Sequence, residues 1–238
     1  MEPCFAQWRA LTLDTLRPLL PPGQPCALVG YPNHWNPGDS AIWCGTRKLL
    51  NHLRVPIRYV CHHQSYRRAE LQAALPDGPI LFHGGGNFGD VYPDECGLRR
   101  RIFEDFPDRE IIQLPQSIWF QSPGGVEDMA RRIGRMKRFT LITRESASES
   151  FARRHFPCPV TLCPDLALWL DPADFQIPPA DLDRFGLLRL DREAPPDSLR
   201  DLEQIDFPHQ DWLIPGPEVD RWRLAARLFL RFDAWLAP

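Results

Sequence analysis

The sequence lacks the features that mark a membrane protein, a secreted protein or a nucleic-acid-binding protein. In its 238 residues no apolar stretch approaches the ~20 residues that cross a bilayer. The N-terminus has no basic segment followed by a long apolar run. The formal net charge is only -3, which does not indicate an electrostatic nucleic-acid binder. We therefore predict a soluble cytoplasmic protein with no nucleic-acid partner.

Cysteine pairs with metal-binding spacing are also absent. The seven cysteines include no C-x-x-C pair, and their odd number argues against a disulfide framework or a zinc ribbon. Cys26 and Cys61 lie in apolar, strand-like runs, where a free thiol behaves as a small hydrophobe. The sequence Cys61-His62-His63 offers metal-ligand types, but adjacent strand residues point to opposite faces. We predict reduced thiols and no metal site.

Two clusters of arginine interrupt the otherwise balanced charge. Residues 99–101 and 131–132 sit beside apolar residues at helical spacing. This pattern predicts solvated helix faces. Peripheral contact with an anionic membrane surface is the alternative for these clusters.

Short apolar runs alternate with helical patterns between Pro25 and Leu168, and the segment before Pro21 also has a helical pattern. Continuous apolar strands separated by helices are typical of βαβ units, and hence of a parallel sheet covered on both faces. We predict an α/β, Rossmann-like domain over residues 1–170. The predicted strands are 26–30, 57–61, 79–83, 110–114, 139–143 and 160–163, and the predicted helices are 39–53, 66–75, 95–106, 126–136 and 145–155.

The composition changes after this region. Residues 171–185 are rich in Pro and Asp and are typical of a linker. Beyond them, 186–191 predicts one strand and 218–236 one amphipathic helix, which cannot bury both faces of a sheet. We predict that residues 186–238 are the incomplete beginning of a second Rossmann-like domain. The alternative is that this strand and helix dock onto the first sheet.

The most distinctive segment is HGGGNFGD, residues 83–90, at the end of a predicted strand. Three successive glycines leave the backbone uncovered, so a ligand can approach the N–H groups closely. Open α/β sheets bind ligands at the carboxyl ends of their strands, and exposed amides there suit phosphate or carboxylate. A tight turn with glycine needed only for conformation is the alternative. The binding candidates are Gly84, Gly85, Gly86, Asn87 and Asp90.

The same segment matches G-x-G-x-x-G through Gly84, Gly86 and Gly89. A dinucleotide site needs a helix to begin at once and an acidic residue at the end of the next strand. Here VYP intervenes, and the next predicted strand ends in Gln113-Leu114. The sequence therefore does not favour NAD, and we predict no cofactor.

Three further polar segments follow predicted strands and so point to the same sheet edge. In residues 33–43, Asp39 is equally well explained as a helix cap. In residues 114–120, turn chemistry around Pro115 is the alternative to binding. In residues 143–151, Arg144 can grip a carboxylate or phosphate bidentately, or pair with a nearby acid such as Glu145 or Asp165. The candidates in these segments are Asn36, Gly38, Asp39, Gln116, Ser117, Arg144 and Ser148.

The ordered series of these segments resembles the polysaccharide pyruvyl transferase family. The order and spacing match the first domain of that family over roughly residues 26–170, which is more specific than any single motif. The motifs are Asn36-Gly38-Asp39, residues 84–90, Pro115-Gln116-Ser117, Arg144-Glu145-Ser148 and Pro164-Asp165-Leu166-Ala167.

The resemblance implies two Rossmann-like domains in the B-type glycosyltransferase architecture. It also implies transfer of a pyruvyl group from phosphoenolpyruvate to hydroxyls of a lipid-linked or polymeric glycan, in exopolysaccharide or cell-wall polymer synthesis. Arg144 would be the catalytic, anion-binding arginine. Family members carry a D-R-L-H-like motif in the second domain, and this sequence has none. The resemblance therefore predicts a fragment, a truncated gene product or an inactive relative.

Two other functions remain open at this point. A nucleotide-sugar glycosyltransferase would share the architecture, with its donor bound mainly by the second domain. A non-catalytic component of an exopolysaccharide assembly complex would fit the missing motif and the tryptophans at 212, 222 and 235. The sequence predicts no oligomeric state and no acceptor sugar.

Overall fold

A computed structural model describes residues 3–34, 36–171, 182–187 and 206–210. These residues fall into two compact units. The first contains residues 3–33 and Gly38–Leu170, and the second contains His34–Pro37 with the described residues from Asp171 onwards. Most of the predicted linker, the predicted helix at 218–236 and the three late tryptophans lie outside the described residues. The division into a first domain, a linker and a second domain therefore stays a prediction.

The first unit alternates strands and helices. None of the described helices combines the length and apolar character that spanning a membrane requires. The helices are α1 (Pro3–Leu16), α2 (Pro37–His52), α3 (Arg68–Ala74), α4 (Pro93–Asp105), α5 (Pro123–Ile133) and α6 (Ser146–His155), with a 3-10 helix at Leu166–Trp169. The strands are β1 (Cys26–Val29), β2 (Ile57–Cys61), β3 (Ile80–Phe82), β4 (Gly85–Gly89), β5 (Glu110–Trp119), β6 (Arg138–Thr143) and β7 (Val160–Leu162). In the second unit, the short strands β8 (Gly186–Leu187) and β9 (His209–Gln210) pair in parallel.

Seven strands form one parallel sheet in the order β2-β1-β3-β5-β6-β7, and β4 pairs with β5 beyond the end of β3. Buried side chains cover both faces of this sheet. Leu71, Ile102 and Met129 pack on one face, whereas Leu16 and Leu49 pack on the other. The fold is therefore α/β with a helix-covered parallel sheet, which confirms the predicted Rossmann-like class.

The sheet extends further than the sequence predicted. The predicted end of the strand at residue 114 was wrong, because β5 runs through Pro115 to Trp119, and the sequence did not predict β4 inside the glycine segment. A register shift between Gln113 and Gln116 lets β5 accommodate Pro115, whose missing N–H would otherwise interrupt a ladder bond. The glycine segment is thus partly a strand, paired with the extension of β5.

Candidate functional site

Three of the predicted segments meet where β4 begins, beside the second half of β5 and the end of β6, and Asp39 of the fourth segment lies next to them. Gly85 is the register partner of Gln116, and the backbone N–H of Arg144 donates to the Gln116 carbonyl at 3.2 Å. Asp39, in the first turn of α2, places Oδ1 3.1 Å from the position that a Cβ atom on Gly85 would occupy. The sheet edge therefore brings together candidates from four separate parts of the sequence.

Two further predicted candidates, Asn36 and Gly38, flank the first residue of α2. Asn36 belongs to the second unit, where its backbone N–H donates to Nδ1 of His34 at 3.4 Å. Gly38 lies in the exposed first turn of α2.

Glycine is needed at residues 84 and 85, for close backbone packing at Gly84 and for the backbone conformation at Gly85. Gly85 has φ +122°, which L side chains rarely adopt. A Cβ atom on Gly84 would lie 2.6 Å from the carbonyl oxygen of Pro115. Gly86, by contrast, is exposed, and its Cβ position lies 3.4 Å from Nη2 of Arg144. The strand therefore presents bare backbone beside an arginine.

Two of the three guanidinium nitrogens of Arg144 bind protein side chains within the described residues, and the third does not. Its Nε donates to Oγ of Ser117 at 2.7 Å, and its Nη1 pairs with Oδ2 of Asp165 at 2.7 Å. Among the residues that the structure describes, Nη2 makes no hydrogen bond, and it lies 3.4 Å from the position that a Cβ atom on Gly86 would occupy. Arg144 thus pairs with both acids expected from the sequence, since its Nε also lies 3.7 Å from Oε2 of Glu145, while Nη2 is directed at β4.

Glu145 and Ser148 support this arrangement from α6. Glu145 accepts hydrogen bonds from the hydroxyls of Ser117, at 2.8 Å, and of Ser148. The buried Ser148 hydroxyl also accepts the backbone N–H of Ile118 at 2.8 Å. The Ser148 side chain therefore ties α6 to β5 and is occupied by protein groups.

Asp90 is likewise occupied by the fold. Its carboxylate accepts the backbone N–H of Gln121 at 2.6 Å and the hydroxyl of Ser122 at 3.0 Å, in the turn between β5 and α5. This places the carboxylate in a structural turn, although the sequence had suggested a ligand role.

Arg99 is the residue that sequence reasoning missed. The prediction of a solvated helix face at residues 99–101 was wrong for this residue, which is only 2% exposed. Its Nε donates to Oε1 of Gln113 at 2.9 Å, its Nη1 to the carbonyl oxygen of Asn87 at 2.9 Å, and its Nη2 to Oδ1 of Asn87. A signal existed, because Arg99 lies three and four residues before the buried Ile102 and Phe103, on the same helix face.

The described residues contain no group of three or more His, Cys, Asp or Glu side chains that could hold a metal ion. His63 of the Cys61-His62-His63 segment lies instead between two acids of α4, with its ring nitrogens 3.7 Å from Asp94 and 3.5 Å from Glu95. The polar cluster at the sheet edge is therefore built from amide, hydroxyl, guanidinium and carboxylate groups, which suit anion and hydroxyl recognition.

Comparison with solved structures agrees with this architecture. A crystal structure of a functionally uncharacterized protein from Klebsiella pneumoniae subsp. pneumoniae NTUH-K2044 superimposes with a TM-score of 0.51. It is 15% identical in sequence, and the match covers 80% of this chain and 65% of that one. At this identity the likeness speaks for the fold alone.

Sequence comparisons give the family. Residues 36–217 match the sequence model described as polysaccharide pyruvyl transferase. The chain is 34% identical over 211 residues to pyruvyl transferase 1 of Schizosaccharomyces pombe, covering 81% of this chain and 53% of that protein. It is 30% identical over 186 residues to the putative pyruvyl transferase EpsO of Bacillus subtilis, covering 76% and 56% respectively. The chain thus spans about half the length of these curated relatives, and it belongs to the polysaccharide pyruvyl transferase family.

Proposed function

We propose that this protein transfers a pyruvyl group from phosphoenolpyruvate to hydroxyl groups of a glycan, and that the edge formed by β4, β5 and β6 binds the donor. The observation that carries the proposal is the open Nη2 corner of Arg144 beside the bare backbone of Gly86. Family membership supports the reaction class. The position of Nη2 of Arg144 supports a small anion as the ligand at this edge.

The chemistry of the donor suits this edge. Phosphoenolpyruvate carries a carboxylate and a phosphate, and a guanidinium fixed on two sides binds such groups with little loss of side-chain freedom. Because Ser117 and Asp165 fix Nε and Nη1, binding at Nη2 needs no rearrangement of Arg144. Donors fixed in advance stabilise developing negative charge well.

The proposed reaction conserves atoms as follows. A protein acid protonates the methylene carbon of phosphoenolpyruvate, and a glycan hydroxyl oxygen bonds to the adjacent carbon and releases its proton. The bond from that carbon to the phosphate oxygen then breaks. A second hydroxyl oxygen then bonds to the same carbon and closes the cyclic ketal, while its proton goes to the released inorganic phosphate. In this scheme Arg144 holds the anion whose charge changes as phosphate departs.

Calorimetric titration of phosphoenolpyruvate tests the donor site. Because a hydrogen bond to a charged group contributes about 1.5–3 kcal/mol, we expect Arg144→Ala to weaken binding by roughly 10- to 100-fold. Arg144→Lys keeps the charge but cannot hold Ser117 and Asp165 together, and should bind less tightly than the wild type.

The matched control is Arg153→Ala, since the one ion pair of Arg153 within the described ranges is with Glu149 on the exposed face of α6. Its phosphoenolpyruvate affinity should equal that of the wild type. An unchanged affinity in Arg144→Ala would refute the role of Arg144. Displacement of phosphoenolpyruvate by a nucleotide sugar would instead favour the glycosyltransferase alternative.

A further inference from the structure

Arg99 brings a positive charge into the interior without a close ion pair among the described residues, although Glu95, one turn earlier in α4, attracts that charge. In the ranges that the structure covers, no carboxylate lies within 4.0 Å of its guanidinium, and its acceptors are the neutral amide oxygens of Gln113 and Asn87. Desolvation lowers the pKa of Arg99 to about 10, so it remains protonated at neutral pH. Burying a charge without a close ion pair is costly, and its hydrogen bonds and the attraction of Glu95 offset only part of that cost.

Aromatic rings surround the charge but do not cancel it. The guanidinium carbon lies 5.6 Å from the ring centroid of Phe82 and 5.0 Å from that of Phe88. Cation–π attraction offsets part of the desolvation cost, yet the rings carry no net charge. A positive charge therefore stays directly beneath β4, whose residue Asn87 accepts its hydrogen bonds.

Arg99 also sets the orientation of three amide side chains, because arginine can only donate hydrogen bonds. Gln113 must present Oε1 to it, which turns Nε2 towards the His83 carbonyl at 2.9 Å. Asn87 must present Oδ1, and Gln116 donates its Nε2 to this same atom at 2.6 Å. Because Arg99 only donates, it fixes which of these amide atoms accept and which donate.

The network is next to the candidate site, because Asn87 follows Gly86, whose Cβ position lies 3.4 Å from Nη2 of Arg144. With Oδ1 of Asn87 facing inward, its Nδ2 donors lie on the opposite side of a half-buried side chain. Neither Nδ2 of Asn87 nor Nη2 of Arg144 makes a hydrogen bond within the described part of the chain. Both donors therefore belong to the same small region around β4.

We propose that Arg99 is a positioning residue of the donor site, whose buried charge and control of Asn87 make β4 a binding surface for a carboxylate or phosphate group. The identity of that anion as phosphoenolpyruvate rests on the proposed function. The preference of β4 for an anion rests on the contacts of Arg99 alone.

The first test compares Arg99→Met with Arg100→Met in the full chain. Titration with phosphoenolpyruvate and with inorganic phosphate gives affinity, and thermal unfolding gives Tm. Arg99→Met should weaken both ligands at least 10-fold at a temperature where the variant remains folded, and its Tm should fall because Oε1 of Gln113 and the two oxygens of Asn87 lose their donor. Arg100 pairs with Asp128 on the outer side of α4, so Arg100→Met should leave affinity unchanged.

A second variant keeps the inference testable if Arg99→Met does not fold. Asn87→Asp places a carboxylate on the guanidinium of Arg99 and neutralises it. We expect Tm to rise and affinity for both anions to fall at least 10-fold. In Asn87→Asp, a merely structural role for this pair would move stability and affinity in the same direction.

The outcomes separate this inference from the proposed function. Wild-type affinity for both anions in Arg99→Met, or in Asn87→Asp should Arg99→Met not fold, would overturn the role of Arg99. Phosphate binding that depends on Arg99, without any binding of phosphoenolpyruvate, would support the role of Arg99 and overturn the proposed donor. A wild-type chain that binds neither anion would overturn both.

Discussion

At the residue scale, Asp90 closes the turn between β5 and α5. Desolvation opposes its ionisation, but hydrogen bonds from the Gln121 N–H and from the Ser122 hydroxyl and N–H prevail and lower the pKa of Asp90. The turn is tight, since a Cβ atom on Gly125 would lie 2.5 Å from Oδ2 of Asp90. The charged form of this carboxylate is thus part of the folded structure.

The stability contributed by Asp90 should depend on pH. A lowered pKa means that the ionised group stabilises the fold above its ordinary value of 3.8, and that this stabilisation is lost as pH falls through the folded value. We expect Asp90→Asn to reduce the free energy of unfolding by about 1 kcal/mol at pH 7 and by less at pH 3. Urea unfolding at both pH values measures the difference.

The control for this prediction is Asp108→Asn, because Asp108 pairs with Lys137 at an exposed position. Its effect should be small at both pH values. A difference between wild type and Asp90→Asn that stays constant between pH 7 and pH 3 would contradict the proposed charge effect.

The roles of single side chains were the least predictable from the sequence. Arg144 and Gln116 could be placed at one edge because parallel strands end there, and the structure brings both to β4. The inward turn of Arg99 depends on the acceptors Gln113 and Asn87, which come from other strands. Such a tertiary network has no local sequence signature, although the helical spacing of Arg99 offered a hint.

At the element scale, α2 and the 3-10 helix touch through Gly45. A Cβ atom on Gly45 would lie 1.9 Å from the carbonyl oxygen of Leu166. Only glycine lets these two backbones approach so closely. This contact positions the segment that carries Asp165, the partner of Arg144.

Two glycine substitutions in helices should have opposite effects on stability. Gly45→Ala forces α2 away from Leu166 and should lower the free energy of unfolding by about 1–3 kcal/mol or more. Gly97→Ala, in α4, meets nothing within 4 Å. It should raise stability by about 0.4–1 kcal/mol, because alanine favours the helix. Chemical denaturation measures the free energy of unfolding of both variants. Equal changes for the two substitutions would contradict the packing argument.

The elements themselves were largely predictable. Apolar runs and helical spacing located six strands and five helices of the first unit within a few residues of their observed bounds. The exceptions are β4 and the second half of β5, where glycine and Pro115 argue locally against a strand. Pairing between these two segments, with a register shift, overrides the local preference.

At the scale of the whole molecule, the closed core should protect most thiols. Burial raises the pKa of Cys26 and Cys163 to about 12, whereas Cys44 is exposed on α2. We expect Cys44 to react with a thiol reagent in the native protein, and Cys26 and Cys163 to react only after denaturation. Mass spectrometry of the labelled peptides identifies each site. Rapid native labelling of Cys26 would show that the sheet opens more readily than its packing indicates.

The arrangement of the first unit explains why the site could be anticipated in outline. A parallel sheet gathers the carboxyl ends of its strands, so residues distant in sequence become neighbours whatever their local context. Asn36 belongs to the second unit, and its predicted binding role stays a prediction. The donor site proposed here therefore depends only on residues of the first unit.

The ion pair between Arg144 and Asp165 has a consequence for protein synthesis. Translation runs from the N-terminus, so β4 and Arg144 leave the ribosome first. Asp165, which orients Arg144, and the 3-10 helix that packs against Gly45 leave it later. Domains generally fold as units during translation. A nascent chain stalled before Asp165 would therefore lack an oriented Arg144, and we expect it to gain affinity for the anion only after the 3-10 helix has emerged.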